Sequence, residues 1–416
     1  MPHSFRRFVA SCLSLWFCAG GIAVADDWPQ WRGPDRSGVS RETGLLKQWP
    51  GGGPKRLWMF REAGVGYSGF SVVGGMLFTM GARDGIESLL ALDAETGALL
   101  WSADLGPQLR NAWGDGPRGT PAVDCDRVFA LSGAGNLACV DTSDGKILWS
   151  KSMQEFGGKQ PNWGYAESLL LDGTRVLCTP GGAKGAIVAL DKLSGDILWQ
   201  SKGFTDAAQY SSIVAANVAG KQQYIQVSLG TVVGVAAESG DVLWQAKWAG
   251  KVAVIPTPVY SDGMVYLTSG YAAGCELLKI DTGGTPTEVY RNVLMKNQHG
   301  GVVLCGDNIY GYSDGAGWMC QEFKTGKVLW TERAKLGKGS LTCAEGMLYC
   351  LDEASGNLVL AEAPPQRWQE QGRFRLAPQS TQRSAQGKIW THPVVSSGRL
   401  YLRDQEVVFC YDIRKR

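Results

Sequence analysis

Residues Leu137 to Trp149 read LACVDTSDGKILW: an apolar strand, a tight polar turn and a returning strand that ends on an indole. Asp141 opens the turn, where its carboxylate can accept from nearby backbone amides, and Gly145 can take positive φ at no steric cost. The pattern recurs along the chain. LLALDAETGALLW ends at Trp101, IVALDKLSGDILW at Trp199, VVGVAAESGDVLW at Trp244 and WMCQEFKTGKVLW at Trp330. Weaker copies end at Tyr290 (LLKIDTGGTPTEVY) and Trp368 (LVLAEAPPQRW). The C-terminal VVFCYDIRKR holds only the first half, and the missing return strand stands near the start as PKRLWMF, with Trp58. Self-similarity at a spacing of about 40–50 residues points to a propeller or a solenoid.

Upstream of each copy lies a second hairpin. Examples are TPAVDCDRVFALS from Thr120, TPVYSDGMVYLTSG from Thr257, GGVVLCGDNIYGYSDG from Gly300 and HPVVSSGRLYLRD from His392. Each has two alternating apolar runs around a short polar or Gly turn. Two such hairpins in series make a four-stranded propeller blade. The predicted fold is therefore all-β: an eight-bladed β-propeller of four-stranded antiparallel blades. The blades fall near residues 66–103, 118–151, 165–202, 210–247, 255–291, 300–333, 339–372 and 390–416. Residues 54–62 supply the outer strand of the last blade, so N- and C-terminal strands close the ring and remove an open edge. Seven blades is the alternative if the degenerate unit at 339–372 is not one. Asp93, Asp141 and Asp191 read as turn caps, and the repeated Trp as inter-sheet filler, rather than as metal ligands or catalytic groups.

The first residues have the form of an export leader. Arg6 and Arg7 precede the apolar run from Phe8 to Val24, which ends in Ala23-Val24-Ala25 before Asp26. The run is short for a transmembrane anchor, and neither Cys12 nor Cys18 lies in a lipobox. The expected organisation is a signal peptide at 1–25, an N-terminal extension at 26–53 and a propeller domain at 54–416, soluble and periplasmic or otherwise exported after cleavage. Without Arg6 and Arg7, 39 basic residues face 39 acidic ones. That balance argues against nucleic acid or an anionic membrane as partner. Nine cysteines follow the leader, with no C-x-x-C among them. Cys139, Cys320 and Cys410 share a repeat position with Ala91 and Ala189 and read as small buried fillers, so neither a disulfide framework nor a zinc site is expected.

In a propeller the loops leading into the innermost strands converge on one face of a central channel. Here those loops are GYSGF with Tyr67, GPRGTP with Arg118, NWGYAES with Trp163, Tyr165 and Glu167, and QYSS with Tyr210. NQHGG with Asn297 and His299, LGKGS with Lys338, and IWTHP with Trp390 and His392 complete the ring. Functional residues concentrate on loops held by a rigid scaffold, so any ligand is expected here; the same side chains could instead serve only to plug and solvate the channel mouth. Gly64–Gly69 and Gly114–Gly119 both fit G-x-G-x-x-G, but each leads into a strand and presents no helix N-terminus to a pyrophosphate. No G-x-S-x-G, H-E-x-x-H or Walker loop occurs.

The repeated A-L-D-x-x-T-G-x-x-x-W resembles the tryptophan-docking repeat of quinoprotein dehydrogenases, and equally that of the outer-membrane assembly lipoprotein BamB. WPQWRGPDRSGVS, GPRGTP, NQHGG and SGYAAGC are most similar to the exported PQQ-like propellers of planctomycete-type bacteria. The resemblance covers nearly all of the chain after the leader. It implies, for a true quinoprotein, pyrroloquinoline quinone over a Ca²⁺ ion, which takes several oxygen ligands. On that reading Glu167 and Asn297 match metal ligands and Arg118 faces the quinone. Trp163, Tyr165, His299, Lys338, Trp390 and His392 would surround the cofactor. No Asp stands where the family's base would be, and the adjacent-cysteine disulfide is missing. The expected function is accordingly an exported binding or scaffold module with a protein partner, or a small-molecule or glycan ligand, at the channel face. The alternative is a PQQ- and calcium-dependent alcohol or sugar dehydrogenase.

Overall fold

The structure, a computed structural model, describes residues 27–363 and 366–415; the expected leader lies outside them. Eight four-stranded antiparallel sheets follow one another, which settles the blade count at eight. Blade 1 runs outward through Ser71–Val73, Met76–Arg83, Ile86–Asp93 and Leu99–Pro107. The inner strands of blades 2 to 8 begin at Ala122, Leu170, Val214, Val259, Val302, Gly339 and Val394. The unit at 339–372 is a full blade, ending in Gln369–Arg375. Lys55–Phe60 pairs antiparallel with Val407–Asp412 and completes blade 8, as the repeat requires.

The repeat motif holds neighbouring blades together. Asp93 Oδ1 accepts from the Thr96 amide and hydroxyl, and Gly97 follows at φ +75°. At four junctions the Trp ending an outer strand lies across the next blade's turn glycine and donates its indole N–H to a carbonyl there, whereas Trp244 donates to Gln223 Oε1 of its own blade. Trp58 bonds Ala94 O, Trp101 bonds Thr142 O, Trp149 bonds Lys192 O and Trp199 bonds Ala237 O. Tyr290 takes the same role between blades 5 and 6, its hydroxyl on Phe323 O. A Cβ on Gly97, Gly145, Gly195 or Gly240 would meet the preceding indole at 2.4–2.8 Å. Glycine is thus required twice at this position, by φ and by the platform it offers the ring.

Residues 27–53, read from sequence as an extension, are built into the propeller. Asp27 accepts from the Gly74 amide, at the turn face that carries the Asp–Gly turns. The chain then rises through the channel. Trp28 bridges Val72 of blade 1, Pro29 O accepts from Val123 of blade 2, and Trp31 Nε1 donates to Thr257 Oγ1 beside blade 5. Arg32 bonds Val302 O of blade 6, and Arg36 bonds Ser168 O and Leu169 O beside blade 3. The return limb, Val39–Ser40, adds a parallel fifth strand to Gly339–Ala344 of blade 7. Glu42 and Leu45 then reach blade 8 back at the turn face. The segment is an inserted loop that fills the channel and satisfies inner-strand groups that would otherwise be buried without partners.

Candidate functional site

The inserted loop stops short of the other face, here the open face, and leaves a cup of about 170 Å³. Trp31 and Arg32, at the tip of the loop, line its base. The walls come from loops leading into the blades: Tyr67 before blade 1, Trp113 and Arg118 before blade 2, Trp163 before blade 3 and Tyr210 before blade 4. Tyr271, His299, Trp390 and His392 close the circle.

Ring packing fixes these walls. Trp390 stacks on His299 with centroids 4.5 Å apart and 18° between planes, and Tyr67 lies 4.9 Å from Trp390. Trp31 meets His392 edge-on at 4.7 Å, and Trp163 meets Tyr210 at 5.6 Å. Arg118 staples the loops: Nε bonds Trp163 O, Nη1 Gly116 O and Nη2 Gly114 O, with the guanidinium carbon 5.3 Å from the Tyr67 ring centre. Its fork-shaped donor set suits three carbonyls as no lysine could.

Charge in the cup is one-sided. Among the lining residues are two guanidinium groups and no carboxylate. Burial, reinforced by Lys338, His392 and Arg118, lowers His299 to about 3. Burial also lowers His392 to about 4, opposed by its hydrogen bond of 2.7 Å to His299 O. Both imidazoles are therefore neutral near pH 7. Acids act from outside the lining: Glu87 and Asp115 lie in the field of Arg118. Glu353 accepts from Trp390 Nε1, and burial raises it to about 7.

Five of the residues expected to bind cofactor (Arg118, Trp163, His299, Trp390 and His392) line the cup together. The rest point elsewhere. Tyr165 packs on Gly135 in the core between blades 2 and 3. Lys338 is paired with Asp314 at 2.7 Å. Glu167 is buried, its oxygens taken by the Thr179 amide at 2.6 Å and hydroxyl at 2.9 Å. Asn297 donates to Gly301 O and Tyr312 O. Glu167 and Asn297 precede blades 3 and 6, well separated around the ring. Among the described residues no three His, Cys, Asp or Glu side chains are grouped to hold a metal. The cup therefore offers neither a hard-oxygen ligand set for Ca²⁺ nor a carboxylate base, and its residues do not fit a calcium–quinone pair. Nor does a described His–Ser hydrogen bond suggest a nucleophile: Ser168 and Ser212 are tied to backbone amides.

Trp31, Arg32, Trp113 and Tyr271 complete the cup and were not among the expected site residues. The signal for the first two was the crowded WPQWRG, whose destination no local pattern reveals. At blades 4 to 6 the open face also exposes Leu229, Val252, Val293 and Leu294, with Val252 59% and Val293 62% accessible. Val252 has φ +56°, a costly conformation for a β-branched residue.

The propeller has known counterparts. Solved structures with the same fold include BamB from Moraxella catarrhalis (TM-score 0.63, 16% identity, 86% of this chain and 100% of that one). A second is the quinohemoprotein alcohol dehydrogenase of Comamonas testosteroni (TM-score 0.64, 13% identity, 94% of this chain and 81% of that one). At such identities they show the fold alone. Outer membrane protein assembly factor BamB of Shewanella oneidensis is 24% identical over 269 residues, 61% of this chain; the match spans 66% of that relative's length. Residues 57–332 match the profile of the family described as outer membrane protein assembly factor BamB, and the chain belongs to this family of PQQ-like repeat propellers.

Proposed function

We propose that this chain is an exported binding module that engages a protein partner through its open face, with the aromatic cup as the deepest part of the recognition surface. One observation carries the reading. The channel is filled from the turn face by residues 28–40, so the cup is a dead end, and exposed apolar side chains stand beside it on blades 4 to 6, Val252 among them at positive φ. Apolar patches rimmed by polar surface mark interaction sites, and backbone strain is retained where structure serves function. The assembly-factor relatives are consistent with a partner that is a protein.

Site-specific photocrosslinking in cells tests this. A photoreactive residue at Trp113 or Val293 should give discrete adducts, and one at Leu193, exposed on the turn face, should give none. Adducts from Leu193 alone would overturn the assignment of the face. Titration of the purified protein with pyrroloquinoline quinone should show no saturation that depends on Ca²⁺; calcium-dependent saturation would restore the oxidoreductase reading.

A further inference from the structure

We infer that the cup is a receptor for a carboxylate-bearing ring, with the Arg32 guanidinium as anion anchor and the Trp and Tyr walls as stacking faces. The inference goes beyond the protein-partner reading: it shares the open face with it and assigns the cup a small acidic ring as a ligand of its own.

Arg32 is 4% exposed. Its Nε donates to Arg36 O, and its Nη2 to Ser37 O and Val302 O. Among the described residues its Nη1 makes no hydrogen bond, and no carboxylate lies within ion-pair distance of the group. By contrast Arg383 has Asp404 at 2.7 Å, Arg36 lies in the field of Glu167 and Arg403 in that of Glu406 and Asp404. Burying a charge is costly unless it is paired, and a guanidinium satisfied only by carbonyls retains its full positive charge. Arg118 adds a second cation, bonded to carbonyls and in the field of Glu87 and Asp115, which stand outside the lining, so Arg32 is the one without an acid. With both histidines neutral and no Asp or Glu lining the cup, nothing in the lining offsets these charges. An anionic group placed at Arg32 would gain a charge-assisted hydrogen bond in a desolvated site.

The walls define what carries the anion. Trp31, Tyr67, Trp163 and Trp390 line the cup as aromatic walls held in place by their ring contacts. A cavity of about 150 Å³ accommodates one benzene-sized ring, and this cup measures about 170 Å³. One six-membered ring with its carboxylate directed at Arg32 fits, and the open mouth lets a chain continue from it. Both the uronic acid end of a glycan and an aromatic acid have this chemistry.

Intrinsic tryptophan fluorescence of the purified full chain, titrated with small probes, tests the inference. Glucuronate and benzoate are the acidic rings, glucose and benzamide their neutral counterparts, and acetate the anion without a ring. At least one acidic ring should saturate, about tenfold more tightly than its neutral counterpart and than acetate, and which one does so identifies the source. Arg32→Gln should lose about tenfold in affinity and Arg32→Lys should recover part of it. Because Arg32 also fastens the inserted loop, Trp390→Ala provides an independent arm and should weaken the same ligand while leaving the melting profile cooperative. Equal binding of the neutral and acidic rings overturns the inference. So does the lack of saturation at about 50 mM by wild-type protein that is folded by its melting profile, since even a millimolar site would then be full. Crosslinks from the open face without any acid binding would sink this inference and leave the proposed function standing. Acid binding without crosslinks would do the reverse.

Discussion

If the inserted loop is part of the native fold, Trp28→Ala must destabilise the whole propeller. Trp28 is 3% exposed; it packs with Phe70, Val72 and Val394 and bridges Val72 through its backbone. Burial of a tryptophan removes roughly 150–250 Å² from water, which at about 25 cal/mol per Å² is roughly 4–6 kcal/mol of transfer free energy. Measured Trp-to-Ala truncations in cores cost about 3–5 kcal/mol, and that is the range expected here. Unfolding entropy near 2.1 cal/mol/K per residue, over roughly 390 described residues, is about 0.8 kcal/mol/K. The melting temperature should therefore fall by about 4–6 K. Differential scanning calorimetry reads it directly, with Trp113→Ala on the exposed rim as the control, expected within about 0.5 kcal/mol of wild type. A Trp28→Ala protein that melts within about 1 K of wild type would refute the argument, because the segment could then not be seated in the channel in solution.

Three further outcomes are expected. Gly145→Ala combines φ +78° with a Cβ 2.7 Å from the Trp101 ring, whereas Gly173→Ala has φ +55° and open space. The first should cost more than the second, whose penalty is about 1–2 kcal/mol for the left-handed backbone alone; equal urea midpoint shifts would remove the docking role given to the indole. Glu353 is raised to about 7, chiefly by burial, so the folded state favours its neutral form. The stability this contributes is complete below about pH 4.5 and is lost as pH rises through about 7, on the order of 3 kcal/mol in all. Glu353→Gln should accordingly melt higher than wild type at pH 8 and close to it at pH 4.5, and a variant offset that does not change with pH contradicts the assignment. Finally, Cys305 and Cys343, on the inner strands of blades 6 and 7, hold their sulfurs 3.0 Å apart as free thiols. Exchange with a small-molecule disulfide should form the inter-blade bond and release two thiols, so the intact mass falls by two hydrogens. Cys305→Ser should abolish that loss, and an unchanged mass in wild type would show that the strands cannot close the remaining gap.

The cup was half legible in the sequence, and the reason is directional. Loops leading into the inner strands could be identified because the blades flanking them repeat, and this placed Arg118, Trp163, His299, Trp390 and His392 at the channel mouth. Whether a given side chain faces the channel or the wall is decided by small differences in loop path. Trp163 faces in, while Tyr165 and Glu167, two and four residues on, turn back into the core and the Thr179 loop. Tyr271 was missed because it belongs to a turn between the second and third strands of blade 5, where the repeat has no consistent signature.

The repeat itself was determined by sequence alone. Each blade is a run of short hairpins whose alternation, turn aspartate, glycine and terminal indole are local signals, and even the closing strand carried its Trp58 as a marker. Tertiary structure decided the fate of residues 27–53. That segment has no period, and its path follows from hydrogen bonds to Val72, Val123, Val302 and Cys343, groups spread over more than 270 residues of chain. Only when eight blades surround a channel is there a space for Trp28 to fill and inner-strand groups for the loop to satisfy. Arg32 thereby reaches the base of a cup whose walls come from the rest of the ring.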